Sequence, residues 1–202
     1  AEVLQLFNES PPSIPEIKGD TRTLALRDLD GTATALELVV GSQGNATTIY
    51  HRNFNTALAN TVPWLQTAQF GVVRYLDGNS FDTRSVVLAD LHNDNYLDIV
   101  TGNHNASNRV FINRGAAASW TYDGAVMNPA SVVSTEINAT RALAVGDLDG
   151  NGTQDILSAE RNSTNRFYAN IGGAGPTFAV GVDEGGANGT AVAVGHLNLD
   201  NN

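Results

Sequence analysis

Acidic side chains recur in this chain at spacings that let their oxygens converge on one point. In the stretch Asp147-Leu148-Asp149-Gly150-Asn151-Gly152-Thr153-Gln154-Asp155, the side chains of Asp147, Asp149, Asn151 and Asp155 hold positions 1, 3, 5 and 9 of a loop containing two glycines. Thr153, at position 7, offers its backbone carbonyl. A hard cation such as Ca2+ takes about 6–8 oxygen ligands, and a short loop with alternating acids supplies most of them without help from distant sequence. The same composition also makes a metal-free Asp/Asn/Gly turn, and a single loop does not decide between the two.

Recurrence favours the metal. Asp90, Asp94 and Asp98 hold positions 1, 5 and 9 of a second loop, with His92 at position 3, where Ca2+ calls for oxygen and where water or Asn93 would have to substitute. A third copy, Asp28-Leu29-Asp30-Gly31-Thr32, closes on Glu37 and is one residue longer between its first and last acids, which makes it the weakest complete site. His196-Leu197-Asn198-Leu199-Asp200-Asn201-Asn202 opens a fourth.

Each loop needs strands to hold it. Arg22–Arg27, Arg84–Ala89 and Arg141–Gly146 lead into the loops with period-two alternation: Leu24, Leu26, Val86, Leu88, Leu143 and Val145 share one face, and mostly small residues line the other. A second strand follows each loop, at Leu38–Gly41, Ile99–Gly102 and Ile156–Ala159. A polar turn at Asn45, Asn105 or Asn162 then leads to a third strand, Ile49–Arg52, Val110–Asn113 or Phe167–Asn170. Aromatic-bearing segments containing Trp64 and Phe70, Trp120 and Tyr122, or Phe178 supply an outer strand. The loops start 62, 57 and 49 residues apart, too long for a solenoid coil of about 20–30 residues and suited to a four-stranded propeller blade. The fold expected is therefore all-β, a segment of β-propeller built from four-stranded antiparallel blades. It comprises about three full blades (19–80, 81–137 and 138–187) within one region, 1–202, and partial blades at 1–18 and 188–202, the latter opening on a strand at Ala191–Gly195. Such an arc, unclosed by itself, is expected either to belong to a longer propeller or to assemble with copies of itself.

The phrase Leu-Ala-Val-Gly-Asp-Leu-Asp-Gly-Asn-Gly-Thr-Gln-Asp-Ile-Leu at 143–157, with Asn-Arg-Phe-Tyr-Ala-Asn at 165–170, resembles the FG-GAP/VCBS repeats of calcium-binding β-propellers, and the resemblance extends over nearly the whole chain. Such blades occur in integrin alpha-chain heads, certain lectins and large secreted bacterial proteins. The resemblance implies Ca2+ ligands at Asp147, Asp149, Asn151, Thr153 and Asp155. The equivalents are Asp90, Asp94, Tyr96 (through its carbonyl) and Asp98 in the second loop, and Asp28, Asp30, Thr32 and Glu37 in the first.

Composition bounds the function. The net charge of -10 disfavours nucleic acid and anionic membrane as partners, and nine of the 21 acids stand in the three complete loops. Cysteine is absent, which excludes thiol chemistry and disulfides. Weak oxygen-cage calcium sites operate where calcium is about millimolar, so a secreted, extracellular location is expected. The histidines His51, His92, His104 and His196 belong to no recognisable catalytic motif. Acids that coordinate calcium are held ionised and are poor proton donors. The expected role is a non-catalytic recognition or adhesion module for a glycan or an extracellular protein, with Trp64, Trp120 and Tyr122 as candidate contacts. The alternative is the propeller portion of a secreted polysaccharide-active enzyme.

Overall fold

The computed structural model of the chain describes residues 19–31, 36–53, 69–76, 80–115, 138–173, 176–179 and 182–195. These residues form eleven strands and no helix, an all-β antiparallel architecture. Strands β1 (Asp20–Arg27), β2 (Glu37–Asn45), β3 (Thr48–Asn53) and β4 (Gln69–Tyr75) pair in chain order. Strands β5 (Phe81–Ala89), β6 (Asp98–Ala106) and β7 (Arg109–Phe111) repeat the first three. Strands β8 (Asn138–Gly146), β9 (Asp155–Glu160), β10 (Thr164–Tyr168) and β11 (Val182–Ala187) repeat all four. The outer strand of the third unit lies beyond Phe178, which makes a single bridge to Asn170. Ala191–Gly195, expected as a strand, pairs with no strand among the described residues. Val3–Phe7, Thr32, Trp64, Trp120, Tyr122 and His196 lie outside the described residues.

Short ladders hook one unit to the next. Gln43 and Asn45 of β2 oppose Asp82 and Phe81 of β5, and His104 and Ala106 of β6 oppose Ala139 and Asn138 of β8. Beyond these hooks the units stack by their faces, and strand alternation divides each strand's side chains between two cores. Ile99 and Phe111 turn towards the first unit, where they join Leu29, Val39, Ile49, Leu76 and Val86. Their neighbours Val100 and Val110 turn towards the third unit and meet Leu91, Leu143, Ile156 and Tyr168. Small residues set the spacing: a Cβ on Gly41 would come within 2.7 Å of Thr83 Cγ2, and one on Gly102 within 2.7 Å of Thr140 Cγ2.

Stacking also explains which of the paired leucines stay exposed. Val86 and Leu143 are 7% and 6% accessible, whereas Leu24, at the same register position of β1, is 57% accessible. At the other end, Leu29 and Leu91 are 1% accessible beneath the following unit, while the equivalent Leu148 is 42% accessible. The hairpin turns after the second strands share a left-handed residue, Gly44 (φ 74°), Asn105 (φ 58°) and Asn162 (φ 59°). Glycine reaches that region without penalty and asparagine tolerates it better than most residues. This accounts for asparagine at two of the three turns.

Candidate metal centres

The three acidic loops occupy the same place in the three units, between the first and second strands. In each, the closing acid is fully buried at the start of the second strand: Glu37, Asp98 and Asp155 all have 0% accessibility. Each accepts the backbone N–H of the leucine after the opening Asp, with Leu29 N to Glu37 Oε2 at 2.7 Å, Leu91 N to Asp98 Oδ2 at 3.0 Å and Leu148 N to Asp155 Oδ2 at 2.8 Å. The glutamate thus offsets the extra residue of the first loop: its longer side chain restores the contact made by the two aspartates. A buried carboxylate is costly unless it is hydrogen-bonded or paired, so this repeated satisfaction is what allows an acid there. Burial still pushes the Asp98 carboxyl above its ordinary range, against the lowering effect of the Asn113 and Leu91 amides and of His92.

The opening acids hold the turn itself. Asp28 Oδ1 accepts Gly31 N at 2.7 Å. Asp90 accepts Asp94 N at 3.1 Å and Asn95 N at 2.8 Å. Asp147 accepts the amides of Gly150, Asn151 and Gly152 at 2.8, 3.1 and 3.0 Å. These bonds use some lone pairs and leave others on the same oxygens.

Three sets of ligand-type atoms result, each lying within 4.8 Å of one another: Asp28, Asp30 and Glu37; Asp90, His92 and Asp98; Asp147, Asp149 and Asp155. The first and third are all oxygen and fit a hard cation. The second contains an imidazole. His92 places Nδ1 3.0 Å from Asp98 Oδ2 and Nε2 2.9 Å from Asp94 Oδ2, and only the doubly protonated ring donates to both at once. Asp94 therefore meets His92, and its other oxygen accepts Tyr96 N at 2.9 Å. Asn151 and Thr153 are turned to each other and to the third unit. The Thr153 hydroxyl lies 2.6 Å from Asn151 Oδ1 and 2.5 Å from the Asn170 carbonyl.

Two asparagines absent from the sequence-based ligand sets complete the centres. Asn113 and Asn170 are fully buried and donate their backbone N–H to the outer oxygens of Asp98 and Asp155, each at 2.8 Å. Their side-chain amides reach into the preceding loop, Asn113 Nδ2 to Leu29 O at 2.7 Å and Asn170 Nδ2 to Leu91 O at 2.7 Å. Each asparagine therefore ties its own loop to the one before. Their shared spacing, fifteen residues after the closing acid in both units, was the available signal.

Residues 90–158 match a known family, the FG-GAP-like repeat. This stretch is similar to FG-GAP-like repeats. The matched stretch runs from the opening acid of the second loop into β9, so it takes in the acidic loops of two successive units. No curated protein matches the chain.

Proposed function

We propose that this chain is a calcium-binding repeat module of β-propeller type, acting outside the cell as a non-catalytic recognition or adhesion surface for a glycan or a protein. The observation that carries the reading is the threefold repetition of a carboxylate cluster at one position of the fold, closed each time by a buried acid. In two clusters the three ligand-type groups are all carboxylates, which repel one another at close range unless a cation lies among them. A divalent cation would be held by Asp28, Asp30 and Glu37 in one loop and by Asp147, Asp149 and Asp155 in another. Its role is to neutralise the loop and fix the approach of the two strands. The FG-GAP-like repeat supports the propeller part of the reading.

Isothermal titration with CaCl2 and MgCl2 tests the metal. Calcium should bind with a stoichiometry of at least two, more tightly than magnesium, whose smaller octahedral shell suits this flexible loop poorly. Asp149→Asn should remove one site and leave the others. Absence of calcium heat in the chelator-stripped protein would defeat the reading. A glycan array run beside a polysaccharide-degradation assay separates recognition from hydrolysis, with retention and no product expected.

A further inference from the structure

The arginine that begins each first strand occupies a special place in the backbone. The strand register shifts between Thr21 and Thr23, between Thr83 and Ser85, and between Thr140 and Ala142, so Arg22, Arg84 and Arg141 are the extra residues of three equivalent bulges. A bulge leaves its extra residue out of the ladder and re-aims the side chain. At the junction of the first and second units this produces a neutral cluster. Asp82, two residues before Arg84, lies 2.7 Å from Arg84 Nη2 and 3.8 Å from Arg22 Nε, and Arg22 also pairs with Asp20 at 3.0 Å.

The next junction has no acid of its own at the equivalent position of β8. The residue two before Arg141 is Ala139, which opposes His104 across the β6–β8 hook and accepts Arg161 N at its carbonyl, 3.0 Å away. In register, His104 and Arg161 thus flank Ala139, with Arg141 two residues further on, at the position where the first junction has a carboxylate. His104 Nδ1 and Arg141 Nε are both buried and without a hydrogen-bond partner. Two acids lie near in register: Asp82, opposite His104 across β5–β6, is paired with Arg84 and Arg22, and Glu160, opposite Thr140, lies 2.8 Å from the Thr140 hydroxyl with no ion pair to an arginine among the described residues. The Arg141 Nε–H calls for an acceptor, and so does His104 Nδ1 in the tautomer that carries its proton there. In a chain of net charge -10, a local excess of cations is not explained by general charge balance.

We propose that the junction between β6 and β8 binds one oxyanion, a carboxylate or a sulfate group, which takes between His104, Arg141 and Arg161 the place that the Asp82 carboxylate takes between Arg22 and Arg84. A guanidinium presents donors in a planar fork that matches two oxygens of such a group. The site is separate from the acidic loops, which lie at the other end of the first strands. Its failure and theirs are therefore distinguishable.

The natural comparison is Ala139→Asp, which supplies the missing carboxylate from the chain itself. Thermal melts at fixed calcium concentration, with sodium acetate or sodium sulfate against sodium chloride at equal ionic strength, read the binding. For the unaltered protein, acetate or sulfate should raise the melting temperature saturably in the millimolar range, and the larger response identifies the preferred group. Ala139→Asp should melt higher in chloride alone and respond to neither anion; Arg141→Gln should also lose the response. As a direct reading, the His104 ring 15N resonances should shift with acetate in the unaltered protein and stay fixed in Ala139→Asp. Superimposed melts in all three salts, or an Ala139→Asp protein that responds as the unaltered one does, would overturn the proposal.

Discussion

His92 sets the second loop apart from the other two. Its ring stands between Asp94 and Asp98, where the third loop has only carboxylates around its centre. The ring takes up both carboxylates through its two nitrogens, and an imidazole nitrogen is a poor ligand for calcium, which calls for oxygen. His92→Asp should therefore tighten calcium binding at this loop by about tenfold or more, with a matching loss of stability in EDTA as a fourth carboxylate joins Asp90, Asp94 and Asp98. Calorimetry and melts on the variant check both halves, and an unchanged calcium isotherm would count against the role given to His92. His104 gives a separate pH effect. Burial, and then the charges of Arg84, Arg141 and Arg161, hold its pKa below the ordinary histidine value, with Asp82 the opposing acid. The folded state then binds fewer protons than the unfolded chain as pH falls through about 6.5, so this contribution to stability is complete above that value and declines below it. Urea midpoints measured between pH 7.5 and 5 should fall on acidification, and His104→Gln should flatten the trend. At this scale the acids of the loops could be read from their spacing, because oxygen-bearing side chains recurring at fixed positions of a short polar turn are themselves the signal. Asn113 and Asn170 could not be read in the same way, since their role depends on which loop a third strand's end lies beside.

At the scale of the strands, alternation and loop-flanking apolar runs marked the first and second strands within a few residues. The structure extends them: β6 runs Asp98–Ala106 where Ile99–Gly102 was expected, because the hairpin continues to the left-handed Asn105. Two of the three third strands end earlier than their apolar pattern implies, β7 at Phe111 and β10 at Tyr168, because the following residues turn back to serve the loops, whereas β3 runs to Asn53. The outer strand of the third unit, expected around Phe178, forms at Val182–Ala187, whose two glycines and two acids carry no strand signal; its pairing with β10 supplies the order that its composition does not. Two substitutions test the joints between elements. Asn113→Ala leaves the buried carbonyls of Leu29 and Leu97 without their donor, at 2.7 and 3.2 Å in the native protein, and should cost about 1–3 kcal/mol in a urea titration. Gly102→Ala places a methyl against Thr140 Cγ2 and Leu143 Cγ at 2.7 and 3.0 Å and should cost a similar amount, about 1–3 kcal/mol, by overpacking. A neutral result for Gly102→Ala would mean that the second and third units are not held face to face as described.

On the scale of the whole molecule, each unit is built to be covered on two sides. Among the described residues the second unit has both covers, the first lacks one at Leu24, and the third lacks one at Leu148. These two surfaces are different, so a contact between them would be head-to-tail and would add units in one rotational sense. Light scattering should therefore give a mass above 21.3 kDa at high concentration, and Leu148→Glu should return it to the monomer value. A monomer in both cases would place the covers within the chain itself. The central claim, that the repeated loops are calcium centres which hold the units together, is tested most directly by thermal unfolding of the chelator-stripped chain with EDTA or with added CaCl2. Calcium at about a hundredfold excess over its dissociation constant stabilises by about 2.7 kcal/mol per site, so the melting temperature should rise by several degrees and keep rising with concentration. Melting curves that superimpose in EDTA and in CaCl2 would contradict it.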